Sequence, residues 1–335
     1  MTSRDPQTDG GEVTKEQIFG TGDDTRTRIT HRKRLRRFFD AYVLAPLRIA
    51  SEDWRTVVGG LGVLGYLLMG SLGVILIPQP ELNRGPRYLQ PFQQWSFPLG
   101  TDNVGRSIFR RIVHATPAML EMALAGILFA VVVAVIIGFV AGYKGGRIDE
   151  ALMGLTDLQI IIPGLPLIMV LAAVYTPTNP FLVGAIVSID NWPGLARAIR
   201  SQVLTLREED YVESARAMGL STPTIIRQEL LPNIAPYILV NAAGAATFVI
   251  NSSVALYFLN ILPFNTLNWG VMINLAYSQG HAVSNPARAW HWLFFPLVVL
   301  SGLNFALILF SQGLDRVFNP RLRARHSNTT GGDES

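Results

Sequence analysis

Six apolar runs, at about 57–78, 118–142, 152–175, 181–203, 237–262 and 292–314, constrain this chain more than any other feature. A hydrocarbon core about 30 Å thick takes about 20 helical residues to cross. Lipid offers no partner to a backbone N–H or C=O, so each run is expected to be a helix. Charged residues make up 16% of the chain, where an average soluble domain carries roughly a quarter. The expected fold class is therefore an all-α integral membrane protein with about six transmembrane helices, sited as a multi-pass protein of a cell membrane. The fourth run is interrupted by Asp190, Asn191, Trp192, Pro193 and Arg197, and such breaks persist only where they face protein or a water-filled cavity.

Orientation follows from lysine and arginine near the ends of the runs. With six spans, the basic N-terminal cluster, Lys144, Arg147, the arginines of segment 205–236 and Arg316, Arg321, Arg323 and Arg325 fall on one side. Both termini are then expected in the cytoplasm. Arg106, Arg110 and Arg111 fall on the other side and count against this, with Asp102 as a partial offset. The basic residues flank apolar segments, so anionic lipid headgroups, and not nucleic acid, are the expected partner of the +4 net charge. The first ~30 residues contain no apolar h-region, which predicts no cleaved signal peptide. With no cysteine in the sequence, disulfides and thiolate chemistry are excluded. The histidines are dispersed without metal-ligand spacing, no phosphate-binding loop is present, and no metal or catalytic residue is expected. The organisation read from these features is a tail with a basic, amphipathic interfacial segment (1–53), a first span with an external segment (54–117), a core (118–315) and a C-terminal tail (316–335).

Between the fourth and fifth runs lies a segment that is polar, charged and helix-forming. Glu208, Glu209 and Asp210 place negative charge where a helix N-terminus favours it, and Gly219 falls where a left-handed residue would end that helix. Thr222 before Pro223 reads as a cap and first turn of a second helix, expected to end near Pro232. The small residues Ser214, Ala215 and Ala217 leave one side of the first helix narrow. Connections within compact proteins are usually only a few residues long; a folded, charged one of this size reads as a docking element.

Glu213-Ser214-Ala215, then Gly219, then Leu230-Leu231-Pro232 resembles the coupling loop of ABC importer permeases. Leu99-Gly100-Thr101-Asp102 with Gly105-Arg106, Ala141-Gly142-Tyr143-Lys144-Gly145-Gly146 with Asp149, and Asn268-Trp269-Gly270 with Met272 resemble motifs of one branch, the C-type permeases for dipeptides, oligopeptides and nickel. The resemblance covers about 54–323. It implies the importer-permease (type I ABC importer) fold, a homologous second permease, two ABC ATPase subunits and an external solute-binding protein. It implies further that ATP and Mg²⁺ belong to the ATPases and no cofactor to this chain, and that Trp269, Gly270 and Met272 lie in an external loop. The family's Glu-x-x-Leu-Ser-Phe-Leu-Gly-Leu-Gly stretch is altered here: Ser253 replaces the acid, and Asn260 and Leu262 replace the glycines. Peptides lead as the solute, with nickel complexes, sugars or another small solute as alternatives, and a secondary transporter or a membrane-anchored scaffold as rivals.

Polar residues at membrane depth are costly and point to function. Asn241, Thr247 and Asn251 in the fifth run are candidates for the translocation path, with interhelical hydrogen bonding as the competing reading. Gly60-Leu61-Gly62-Val63-Leu64-Gly65 matches a dinucleotide fingerprint but lies inside a span without the strand it requires, and it is read as helix packing. So is Gly138-x-x-x-Gly142. Pro163 and Pro166 are expected to kink the third span, and tryptophans 54, 95, 269, 290 and 292 lie near span boundaries as interface anchors do.

Overall fold

A computed structural model describes residues 53–264 and 267–318. Among these the regular structure is helical, apart from an isolated bridge between Thr101 and Ser107. Helix α1 (Trp54–Leu68) is capped by Asp53 and runs through a π-helical turn, Met69–Gly73, into a last turn, Val74–Leu76. After an irregular external segment, Ser107 caps the 37-residue α2 (Ile108–Lys144). Then follow α3 (Gly146–Ile161), α4 (Gly164–Tyr175), α5 (Pro180–Val187), a 3₁₀ turn over Ser188–Asp190 and α6 (Trp192–Leu206). The connection to the next span carries α7 (Asp210–Ala217) and α8 (Thr222–Ile225), and α9 (Leu231–Phe258), α10 (Trp269–Ser278) and α11 (Pro286–Phe318) complete the chain.

By length and apolarity four helices can each cross a bilayer, over Trp54–Leu76, Ile108–Lys144, Thr222–Phe258 and Pro286–Asp315, and α3 with α4, bent by 87°, is either a broken span that makes a fifth or a re-entrant loop. The bend has a local cause. Ile162 precedes Pro163, which disfavours the helical region for it, and its backbone is extended (φ −71°, ψ 123°). Pro166 leaves no bend, because it falls in the first turn of α4, where no intrahelical N–H bond is needed.

The predicted fourth span is two helices, not one. Its break at Ser188–Asn191 coincides with the polar interruption. The pair still crosses the bundle, as its packing register along α2 shows. Gly184 lies against the Met122 backbone, Gly138 against Ala196 and Ile199, and Gly142 against Arg200 and Val203. This follows α2 from residue 122 to 142, about 30 Å at 1.5 Å per residue. A Cβ on Gly138 would sit 2.8 Å from the Ala196 carbonyl oxygen, so the glycine is what lets α2 and α6 approach.

The other spans are set by similar close approaches. Helices α1 and α11 run antiparallel, with Gly62 on Ala306, Gly302 on the Tyr66 hydroxyl and Gly313 on Thr56. Of the fingerprint-like glycines of α1, Gly62 serves helix packing, Gly60 lies in ordinary contact with Phe310, and Gly65 has no neighbour within 4 Å of its Cβ position. Gly126 of α2 faces Val249 of α9. The main core gathers residues of α2, α5, α9, α10 and α11 around Trp269 and Trp292, and a second cluster joins α2, α6, α7 and α9. Trp269 and Trp292 are buried, so of the five tryptophans noted only Trp54, Trp95 and Trp290 present exposed surface.

Candidate functional site

The helical connection between α6 and α9 builds the candidate site. Glu209 is the N-cap residue of α7, and Asp210 and Glu213 lie in its first turn, where negative charge is favoured. Gly219 has φ +77°, the left-handed conformation that ends α7, and the Leu220 N–H donates to the Ala215 carbonyl at 3.2 Å. The cap of α8 is Ser221, one residue earlier than the Thr222 expected from sequence. Helix α8 does not end near Pro232: it passes through a π-helical turn, Ile226–Leu230, directly into α9. Pro232 falls in the first turn after that widened turn, so its missing N–H does not break the helix.

Val212, Ala215, Ile225, Leu230 and Ile234 are buried together. Ala215 therefore faces its own chain and is not part of a surface open to a partner. Leu231 is partly buried, and Pro232 is exposed. The outward face of α7 carries Tyr211, Ser214 and Met218, at the three- and four-residue spacing that aligns side chains on one face; Met218 is 73% exposed. Asn233 Nδ2 donates to the Glu229 carbonyl at 2.6 Å and to the Tyr211 hydroxyl at 3.4 Å, tying α7 to the start of α9. Burial, then Glu209 and Glu229, raise the Tyr211 pKa, which keeps its hydroxyl neutral. On another side of α7 is an open cavity of about 610 Å³ lined by Arg207, Glu208, Glu213, Arg216 and Ala217, charges of both signs in reach of a partner surface.

The three candidate path residues do not form one polar face. At about 100° per residue Thr247 and Asn251 are close together on α9, with Asn241 about 80–120° away. Asn241 donates to the Tyr237 carbonyl at 2.8 Å and Thr247 to the Ala243 carbonyl at 3.1 Å, both within α9. Asn251 pairs with Asn304 of α11 in two reciprocal hydrogen bonds of 3.3 and 2.9 Å.

Trp269, Gly270 and Met272 are buried. Trp269 Nε1 donates to the Ile112 carbonyl at 3.2 Å, its ring meets Tyr66 edge-on, and Gly270 lets α10 close on Val254 and Tyr257. These residues hold α10 on the bundle. At the altered stretch, Ser253 is buried and donates to the Ile250 carbonyl at 2.9 Å. Asn260 has φ +56°, so it takes the left-handed conformation a glycine would take there.

Asp102 has a structural role that the sequence analysis did not assign. It is fully buried, and its carboxylate accepts from the Val104 and Arg106 backbone N–H groups (3.0 and 2.9 Å), Arg106 Nε (2.8 Å) and Arg111 Nη1 (3.2 Å). The Asp-x-x-x-Arg spacing was the available signal. Among the described residues no cluster of histidine, aspartate and glutamate is arranged to hold a metal.

Residues 134–324 match the family described as binding-protein-dependent transport system inner membrane component. The chain is 31% identical to a dipeptide transport system permease protein of Bacillus subtilis, over 83% of this chain and 87% of that protein. It is 31% identical to an oligopeptide transport system permease protein of Lactococcus lactis subsp. cremoris, over 73% and 82%. A glutathione transport system permease protein of Pectobacterium atrosepticum is 29% identical over 85% and 94%. With more than half of its length inside the family match and the helical spans in place, the chain belongs to the multi-pass inner membrane components of binding-protein-dependent transport systems.

Proposed function

We propose that this chain is a non-catalytic permease subunit of an ATP-driven importer of di- or oligopeptides, and that α7 is its coupling element. In this reading the chain forms half of the translocation pathway beside a homologous permease, two ABC ATPase subunits bind ATP and Mg²⁺ and dock on α7, and an external binding protein delivers the solute. The observation that carries the coupling assignment is that a folded connection between two membrane helices exposes both the face of Tyr211, Ser214 and Met218 and, on another side of α7, a mixed-charge cavity. Glu213, Ser214 and Gly219 then serve the docking surface or its shape, while Ala215, Leu230, Leu231 and Pro232 serve its foundation. Peptides are favoured as solute because relatives named for dipeptide, oligopeptide and glutathione transport match most of the chain.

The test is to isolate the tagged chain from its native membrane in mild detergent, identify what accompanies it, and measure peptide uptake after reconstitution. Co-isolation of ATPases, a second permease and a binding protein, with ATP-dependent uptake of dialanine, is the expected result. A chain isolated alone under conditions that preserve such complexes would overturn the reading. A complete complex that imports a sugar or nickel and no peptide would overturn the choice of solute alone.

A further inference from the structure

Three arginines running from α6 into α7 are fastened to the corner between α2 and α3. Arg216 of α7 lies 5.0 Å from the Tyr143 ring centroid, and its Nε donates to the Tyr143 hydroxyl at 3.2 Å. Arg207, just after α6, donates through Nη1 to the Gly142 carbonyl at 2.9 Å. Arg200 of α6 grips Asp149 of α3 with both arms of its guanidinium, one of them Nε to Oδ1 at 2.5 Å. Planar, two-point contact of this kind fixes orientation as well as distance. Asp149 is 14% exposed, and water weakens the pair only in part. Gly142 adds contact without a side chain of its own, since a Cβ there would meet Val203 at 2.8 Å.

Helix α7 is bound to α6 and α9 by the main chain and by the buried cluster of Val212 and Ala215. Along the main chain it leads through α8 and the π-helical turn into α9. Toward α3 and α4, which bend at Ile162 and Pro163, the contacts at the α2–α3 corner form a further route. A displacement of α7 would pull on Arg216 and Arg207, and through α6 on Arg200 and Asp149, so its effect would reach α3 at the N-terminal end, with the bend at the other end.

We propose that the turn from Gly142 to Asp149 is a second receiver of the coupling movement, with Tyr143 and Asp149 as positioning residues that pass motion of α7 to the bent pair α3–α4. This rests on the coupling role proposed above and adds a route to it. The sequence from Ala141 to Asp149, which carries part of the resemblance to peptide permeases, gains a mechanical reason: it provides the Gly142 carbonyl, the Tyr143 ring and the Asp149 carboxylate for the three arginines that run from α6 into α7.

The chain contains no cysteine, so pairs of introduced cysteines can carry spin labels at chosen sites. In the assembled importer, one pair joins Ile136 of α2 to Leu158 of α3 and a second joins Ile136 to Leu239 of α9, all exposed positions. Distances are measured with ADP and with ATP trapped by vanadate. In the unsubstituted complex both distances are expected to shift. Tyr143→Leu and Asp149→Ala should abolish the Leu158 shift, leave the Leu239 shift, and raise the ATP hydrolysed per dialanine imported. The exchanged pair D149R/R200D should restore the Leu158 shift, which a variant that had merely misfolded would not show. A Leu158 shift that persists in both single variants, or its absence in an unsubstituted complex that imports dialanine with ATP, overturns the inference. Failure of the importer reading is a different result: no ATPase accompanies the chain and neither distance responds to nucleotide.

Discussion

Gly219 shows how one residue ties the sequence to the proposed docking element. At φ +77° a side chain meets its own backbone, and asparagine is the residue that tolerates this best after glycine. Nothing lies within 4 Å of the position a Cβ would take, so the cost of substitution is conformational and not steric. Gly219→Ala should destabilise the end of α7 by about 1–2 kcal/mol, and Gly219→Asn by less. Uptake by the reconstituted importer should rank glycine, asparagine, alanine; equal uptake by all three would show that the shape of the turn is immaterial. Asp102 provides a contrasting case, in which burial dominates. Asp102→Ala removes a carboxylate that accepts four hydrogen bonds at 0% exposure. Removing one partner of a buried ion pair costs about 3–5 kcal/mol, a large share of a typical stability of about 5–15 kcal/mol, so this variant should show a markedly lower midpoint of thermal unfolding in detergent. At Ala215, a bulky charge would enter the buried cluster with Val212 and Leu230. Loss of transport in such a variant would report a damaged loop and not a blocked partner surface.

Among elements, what the sequence made legible was what depends on neighbouring residues. The glycine that ends α7, the proline that bends α3 from α4 and the polar break in the fourth span are local signals, and each falls where a break or end occurs. The continuity of α8 into α9 was not legible, because proline reads as a stop unless one knows that a π-helical turn precedes it. Nor was the burial of Trp269 and Trp292, whose proximity to span ends suits both an interface anchor and a packed core, and only tertiary contacts decide between them. The helical spacing of Asn241, Thr247 and Asn251 was inexact, and the pairing of Asn251 with Asn304 depends on a helix far along the chain. The packing of α2 on α6 yields a further test. Gly138→Leu would drive a side chain into Ala196 and Ile199, and overpacking of this kind costs about 1–3 kcal/mol. The variant should lower the unfolding midpoint, whereas Gly244→Ala, with nothing within 4 Å of its Cβ position, should not lower it and should raise it slightly, since alanine is favoured over glycine inside a helix by about 0.5–1 kcal/mol.

Among the described residues, the antiparallel and parallel registers assign several span ends to one of two faces. Thr56 lies beside Gly313, Arg207 beside Gly142, Arg216 beside Tyr143, and Val240 accepts from Ser311, so the start of α1, the α2–α3 corner, the coupling arm and the end of α11 share a face. The opposite face carries the segment around Asp102, α10 and the start of α11, joined by contacts such as His291 with the Thr101 carbonyl. The arginines that argued against a cytoplasmic assignment of the first face are partly accounted for by this arrangement, since Arg106 and Arg111 are both held by Asp102. Positive charge near span ends favours the cytoplasm; Asp102 offsets one of these two charges, and the balance points to the face bearing Lys144, Arg147, Arg207, Arg216 and Arg227. The prediction is direct, because a single introduced cysteine has no competitor in this chain. Trp95→Cys, at a position 91% exposed on the opposite face, should react with a membrane-impermeant maleimide on intact cells. Met218→Cys, 73% exposed on the coupling arm, should react only once the membrane is permeabilised. The reverse pattern would place α7 outside the cell, out of reach of any cytoplasmic ATPase, and would remove the coupling assignment together with the orientation.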